Sequence, residues 1–310
     1  MTVTASMVKT LRDKTGAGMM DCKTALTETN GDMEEAIDWL RKKGLSKAAK
    51  KADRVAAEGL IGLTAKDNVG AIVEVNSETD FVARNPQFQD MVRAVTSLAP
   101  QAKGDLAKLL ALPYPGKSVT VEDQVKETVA TIGENMSVRR TADAVVSEGV
   151  VADYVHNKAA DGLGKMGVLV ALESTGDKTA LTALGRQLAM HIAAASPAAI
   201  SADQFDPALI ERERGVYAEQ AKASGKAPDI VAKMVEGRLR KEFYQQVVLL
   251  QQTFLGAGGD GKVTVEQVLK DAQKTVGAPI KVASFVRYAL GEGIEKKGGD
   301  FADEVAKLRQ

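Results

Sequence analysis

The residues with most to offer chemically lie in one stretch, Glu74-Val75-Asn76-Ser77-Glu78-Thr79-Asp80-Phe81-Val82-Ala83-Arg84-Asn85-Pro86. A strand pattern ends near Val75 and a helix start is set near Pro86. A large aromatic, Phe81, therefore falls in a connection among Asp, Thr, Glu and Arg. Two readings fit. Phe81 can fold back under the loop as a core plug, with Asp80 capping a turn. Alternatively it stands out as an apolar wedge beside a carboxylate, a shape suited to prying into a partner.

Other candidate chemistry is weaker. Gly256-Ala257-Gly258-Gly259-Asp260-Gly261-Lys262-Val263 approaches a phosphate loop, but Val263 stands where that motif needs a hydroxyl for Mg²⁺. Gln245 to Phe254, just before it, reads as helix and not as the required strand, so a flexible turn is expected. The two histidines, His156 and His191, have no nearby Cys partner, and two are too few for a multi-His site. No metal or other cofactor is expected. There is no Gly-x-Ser-x-Gly elbow for a catalytic serine, and no catalytic residue is assigned. Cys22, beside Met19 and Leu26, reads as a small core residue, and His191 as packed in or beside the core.

The elements that must position these residues follow from periodicity. Residues 1–54 read as three short helices and a basic linker. Val8 and Leu11 mark the first helix, and Met19, Cys22 and Leu26 the second. The third is started by Asp32 with Glu35 three residues on, and Gly44 is a natural stop. Arg41, Lys42, Lys43, Lys47, Lys50, Lys51 and Arg54 face Asp53 alone across residues 41–54. That run is either a solvated helical linker or a surface for an acidic partner. It lacks the interleaved aromatics of a strand-stacking nucleic-acid binder.

From residue 55 the period becomes two. Leu60 to Leu63 and Ala71 to Val75 flank a turn-like stretch, a hairpin, and a helix follows from Pro86 to about Leu98. The pattern recurs: Glu148-Gly149-Val150-Val151 parallels Glu58-Gly59-Leu60-Ile61, and Gly167 to Leu172 parallels Gly70 to Val75. A helix with Leu181, Leu184, Leu188 and Ile192 comes next. Two related hairpin-plus-helix units are expected. Residues 206–250 read as an antiparallel pair of charged helices broken at Ser224 to Pro228, inserted before the strand-like Lys281 to Tyr288. Phe301 to Gln310 reads as a short amphipathic helix.

Composition bounds the rest. At 310 residues the chain is long enough for about two domains. Aromatics are only 4%, so the core must be aliphatic, and an α+β class is expected. Basic and acidic residues number 41 each, which excludes a whole-molecule field for nucleic acid. The single cysteine excludes an internal disulfide and suits a reducing compartment. No apolar run would span a membrane, and no apolar signal core opens the chain. A cytoplasmic location is expected.

Leu11-Arg12-Asp13-Lys14-Thr15-Gly16-Ala17-Gly18-Met19-Met20-Asp21-Cys22 and onward to Leu26 closely resembles the N-terminal signature of the bacterial translation elongation factor Ts family. Glu74 to Arg84 is similar to its second signature. Ser224-Gly225-Lys226 with Lys233 to Arg238 resembles its coiled coil, and Gly291 to Lys296 with Asp300-Phe301-Ala302 its C-terminal module. Ser77 stands where many members have Cys. The resemblance implies a ubiquitin-associated-like three-helix domain with its linker at 1–54, a core N-subdomain at 55–140, a core C-subdomain at 141–286 carrying a coiled-coil hairpin at about 206–250, and a C-terminal helical module at 287–310. It implies a guanine-nucleotide exchange factor for elongation factor Tu, and not an enzyme that makes or breaks bonds. In the partner-binding loop Thr79, Asp80, Phe81 and Val82, Asp80 and Phe81 would enter the partner near its Mg²⁺ and phosphate site, and Thr79 and Val82 would shape the loop. Lys9, Arg12, Met19 and Met20, with the C-terminal module, would grip a helix of its nucleotide domain. His156 would be a lesser contact. No direct nucleic-acid or membrane partner is implied, and the coiled coil offers a surface for a homodimer. The rival reading is a helical scaffold that dimerises through the coiled coil and binds through the three-helix module.

Overall fold

The computed structural model describes residues 3–222, 225–256 and 261–295. Three helices open the chain: α1 (Ala5–Thr15), α2 (Met19–Glu28) and α3 (Met33–Ala49). Their starts and stops are set by side chains. The Thr4 hydroxyl accepts from the Met7 N–H at 3.3 Å, Gly16 ends α1 at φ 67°, and Asp32 accepts from the Glu35 N–H at 2.9 Å. Leu11, Cys22, Ala25, Leu26 and Ala36 are fully buried between them. The expected stop at Gly44 does not occur, and α3 runs on to Ala49. Gly44 is buried instead, and a Cβ there would lie 3.0 Å from the Ala130 Cβ. The glycine lets α3 approach a core helix closely, so packing outweighs its poor helix propensity.

The core is built from two β-β-α arrangements. The first comprises β1 (Glu58–Lys66), β2 (Val69–Ser77) and α4 (Pro86–Ala102), followed by α5 (Leu106–Ala111), α6 (Val121–Ile132) and β3 (Met136–Val145). The second comprises β4 (Gly149–Ala160), β5 (Leu163–Glu173) and α7 (Lys178–Ala195), and later α11 (Val265–Val276) and β6 (Lys281–Ala289). In each, the second hairpin strand is central: β2 lies between β1 and β3, and β5 between β4 and β6. The correspondence holds residue by residue. Gly59 faces Asn76 and Gly149 faces Glu173, both glycines with positive φ, and the register shifts at Glu74/Val75 and at Ala171/Leu172. The helices before the outer strands match too. Thr120 caps α6 and Gly133 ends it, while Thr264 caps α11 and Gly277 ends it.

Among the described residues, strands of the two halves pair only where β1 meets β5, at Ile61/Gly164 and Gly62/Leu163. They also pack face to face. Ile61, Leu63 and Ile72 meet Val151, Leu169 and Ala171 in an apolar layer between the sheets. A Cβ on Gly70 would lie 2.7 Å from the Val151 side chain, and one on the equivalent Gly167 would strike Leu63 and Ile61. Each hairpin thus offers a glycine that admits the other's side chains. On the outer faces, Phe88, Met91 and Val92 of α4 seal the first half, and Leu181, Leu188 and Ile192 of α7 the second. Helix α4 continues four residues beyond the expected end, through Pro100, because Ala99 and Ala102 are fully buried.

Helices α8 (Pro207–Lys222) and α9 (Pro228–Arg238) pack on each other, with Arg214 bonded to Glu236 at 2.9 Å. On the second arm, Val235 and Leu239 are buried, whereas Ile230 is exposed. A two-helix arm has one side to bury and little else to cover it. A π-helical turn (Leu239–Tyr244) and α10 (Gln245–Val247) return the chain to the core, where the Phe205 and Phe243 rings meet at 5.7 Å. The helix expected up to Phe254 ends at Val247. The Leu249 and Leu250 N–H groups bond to Ala199 and Ile200 instead, and Thr253 bridges to Thr264. The helix expected over 301–310 lies outside the described residues, as do 257–260 of the glycine-rich stretch and Ser224. No helix among the described residues is long and apolar enough to cross a membrane.

Candidate functional site

Strand β2 ends at Ser77, and α4 begins at Pro86 with Asn85 as its cap, its side-chain oxygen accepting from the Gln87 N–H at 2.9 Å. Residues 78–85 form the connection. At the same point of the second half the chain passes from Glu173 to α7 in four residues, with Asp177 capping that helix. The longer first connection carries Phe81.

That connection is braced on both sides of the aromatic. Thr79 donates its backbone N–H at 2.9 Å and its hydroxyl at 2.7 Å to the Glu134 carboxylate. The Ser77 hydroxyl donates to the Thr79 carbonyl at 3.0 Å. Glu78 accepts from the Asn135 N–H at 2.5 Å and pairs with Arg54 at 3.5 Å. Asn135 in turn donates to the carbonyls of Ala52 and Arg54. On the far side, Val82 and Ala83 are buried against the first core, in a 3₁₀ turn (Val82–Arg84). Phe81, between these anchors, is 73% exposed. The plug reading of Phe81 is therefore excluded by its position. An exposed Phe leaves about 1.5–3 kcal/mol of burial free energy unrealised. Asp80 is half-buried, and its carboxylate makes no hydrogen bond or ion pair among the described residues. Val82, which the family resemblance gives a part in shaping the loop, is buried in the first core.

The other expected residues are at the surface. Lys9 and Arg12 are exposed on α1, and Met19 and Met20 are 59% and 71% exposed at the start of α2. Large apolar side chains so placed are suited to covering by a partner. The Asp21 carboxylate below them is held by Lys47 at 2.7 Å and Lys43 at 3.1 Å, and chiefly the Lys47 bond keeps it below the usual carboxylate range. His156 is exposed on β4, its Nδ1 3.0 Å from the Tyr154 hydroxyl. It opens on a hollow of about 400 Å³ lined also by Met166, Met190 and Leu255. Sequence reading missed this hollow, because Leu255 reaches it from a segment distant in the chain.

The basic run of 41–54 is partly spent within the molecule. Lys43 and Lys47 hold Asp21, Lys51 donates to the Gly133 carbonyl, and Arg54 meets Glu78. Arg41, Lys42 and Lys50 stay exposed. The linker therefore ties the three-helix bundle to α6 and to the braced loop. The two remaining expectations for single residues hold. Cys22 is in the bundle core, and His191 is buried, donating from Nε2 to the Gln252 side-chain Oε1 at 2.9 Å and accepting the Leu255 N–H at Nδ1. Burial holds the His191 pKa below the usual range, against the opposing Gln252 bond.

The molecule is thus an α+β protein that presents an exposed aromatic on a braced loop, beside a carboxylate with no partner among the described residues. Comparison with known proteins gives the family. A family model described as elongation factor TS matches residues 78–292. The chain is 63% identical over 304 residues to elongation factor Ts of Parvibaculum lavamentivorans, covering 98% of this chain and 97% of that protein. It is 58% identical over 306 residues to elongation factor Ts of Sinorhizobium fredii, and 56% over 306 residues to that of Bartonella henselae, each alignment covering 99% of this chain and 98% of the relative. The chain belongs to the elongation factor Ts family.

Proposed function

We propose that this protein is a guanine-nucleotide exchange factor of translation elongation. It binds elongation factor Tu carrying GDP, disturbs the Mg²⁺ and phosphate site of that partner, and so promotes GDP release before GTP binds. The observation that carries this reading is Phe81, exposed on a loop braced through Thr79, Glu78 and Val82. Phe81 acts as the wedge and Asp80 brings negative charge against the groups that hold Mg²⁺ and phosphate. Lys9, Arg12, Met19 and Met20 supply grip together with the C-terminal module, and His156 adds a contact from the second half. Units at 1–54, 55–140, 141–286 with the hairpin inserted, and 287–310 are the division this reading uses.

The physics is linkage. A factor that binds the nucleotide-free partner more tightly than the loaded one must weaken nucleotide binding by the same coupling free energy. Moving a population from 1:99 to 99:1 takes about 5.5 kcal/mol of differential binding. Burial of one Phe supplies part of that, and a broad interface must supply the rest. No bond is made or broken, so the protein needs no cofactor, and the nucleotide and its Mg²⁺ belong to the partner. The cytoplasm, where elongation proceeds, is the working compartment.

A dimerising scaffold is the rival, and it has no use for an exposed aromatic on a braced loop. Release of labelled GDP from purified elongation factor Tu, with and without this protein, separates them. Acceleration supports exchange, and an unchanged release rate overturns it.

A further inference from the structure

Glu74 is the one carboxylate in the described residues that is wholly buried within a strand, with no exposed surface at all. It lies on β2 at the register shift, four residues before Glu78, where the connection that carries Phe81 begins. Its side chain is on the face toward the second half, at the end of the apolar layer formed by Ile61, Leu63 and Ile72. A lone buried carboxylate there would be strongly destabilising, so its partners matter.

Those partners come from three places. Asn76 of the same strand donates at 3.1 Å. Arg139 and Arg140 of β3 donate at 3.1 and 2.5 Å, the register shift turning both neighbours toward one carboxylate. The Gly291 N–H, just beyond β6, donates to Oε1 at 2.8 Å. Burial would raise the pKa of Glu74, but the Gly291 amide, Arg140 and Asn76 outweigh it and hold the group below the usual carboxylate range. The same arginines bind the segment after β6 directly. Arg140 donates to the Ala289 carbonyl at 3.1 Å and lies over the Tyr288 ring at 4.0 Å, while Arg139 donates to the Glu292 carbonyl at 2.7 Å. Gly291 has φ 72°, and a side chain there would collide with the Ala57 carbonyl, so this segment also rests on the start of β1.

The equivalent position in the second half is Ala171, whose neighbour across the register shift is Ser284. The charged knot is thus an addition to one copy of a repeated frame, and the fold itself does not require it. It joins the strand that delivers the Phe81 loop to the point from which the chain leaves for its C-terminal residues. We infer that Glu74 is a positioning residue for nucleotide exchange: its carboxylate fixes the 289–292 segment to β2, so that the Phe81 loop and this segment meet the partner as one rigid unit. This inference rests on the exchange reading above.

The test uses Glu74→Gln in the full chain, with two readouts below the unfolding temperature. The first is hydrogen exchange of the Gly291 amide, which needs no partner. It should lose protection by about tenfold or more. The second is the limiting rate of GDP release from elongation factor Tu at saturating concentrations of the variant, which should fall about tenfold through lost alignment. A variant that was merely less stable would keep that limiting rate. Unchanged protection of Gly291 overturns the fixing role. Lost protection with an unchanged limiting rate overturns the positioning role. Should wild-type protein fail to accelerate GDP release, the exchange reading falls and the positioning role with it, and the Gly291 amide alone then decides whether Glu74 fixes the segment. If Glu74→Gln does not fold, Arg139→Gln decides, since it keeps the buried charge, Arg140 and the Gly291 bond while losing the Glu292 contact. It should shift both readouts in the same direction by a smaller factor, and no shift in either overturns the inference.

Discussion

Thr79 and Glu134 are joined by two hydrogen bonds, from the Thr79 N–H at 2.9 Å and from its hydroxyl at 2.7 Å, across more than fifty residues of chain. The carboxylate sits just after α6, the helix on which α3 of the N-terminal bundle packs. The loop and the bundle therefore share one support. Glu134→Ala should cost about 1 kcal/mol of stability, because the pair is only part-buried. It should slow stimulated GDP release by more than that loss would suggest, because it frees the base of the loop. Thermal unfolding and GDP release on the same variant check this, and a variant with wild-type release contradicts it.

Charge on the linker should act on encounter and not on the folded state, but only at positions not already engaged. Lys51 serves the Gly133 carbonyl, so reversing it would confuse structure with steering. Lys42→Glu with Lys50→Glu should leave the unfolding temperature within about 2 °C. It should slow association with elongation factor Tu mainly at low salt. Stopped-flow association across ionic strength is the check, and a rate insensitive to salt and mutation rejects the role.

The helical arm should be separable from the rest. Helices α8 and α9 pack chiefly on each other, and the Phe205–Phe243 contact closes their base. Replacing residues 208–241 by a short Gly-Ser link keeps both rings. The core should stay folded by circular dichroism, with exchange only partly reduced. Loss of the folded core would show that the arm belongs to it.

His191 predicts a stability profile. Its folded pKa lies below the unfolded value of about 6.5 because burial disfavours the charged ring. Above that pH the ring is neutral in both states. As pH falls from about 6.5 the unfolded chain takes up a proton that the folded one refuses, so stability declines. His191→Gln should flatten the decline between pH 6.5 and 5, and thermal unfolding over that range measures it. A parallel decline in both proteins would contradict it.

Much of this fold is legible in the residues. Gly59 and Gly149, Gly70 and Gly167, and the alternating runs after them place both hairpins, because each glycine is required by a close approach of backbone or side chain. Met136–Val145 is not read as a strand, since its two arginines at the register shift break the alternation that marks one. A signal was present in Val119-Thr120-Val121-Glu122, which matches Val263-Thr264-Val265-Glu266 and places a capped helix before each outer strand. Gly44 misleads as a stop because helix ending and helix–helix contact favour the same residue. At the site, sequence places Phe81 in a loop but cannot say which way it faces. That is decided by Glu134 and Asn135, residues with no local relation to it.

The wedge is tested most directly by comparing Phe81→Ala with Phe88→Ala, two phenylalanines seven residues apart, one 73% exposed and one fully buried. Phe88→Ala should destabilise by about 3–5 kcal/mol. Phe81→Ala should change stability by no more than about 0.5 kcal/mol. The decisive measurement is GDP release from elongation factor Tu stimulated by Phe81→Ala, folded at the assay temperature. Release should slow by about ten- to a hundredfold, the loss of one buried Phe from the exchange complex. Wild-type stimulation by a fully folded Phe81→Ala would contradict the account.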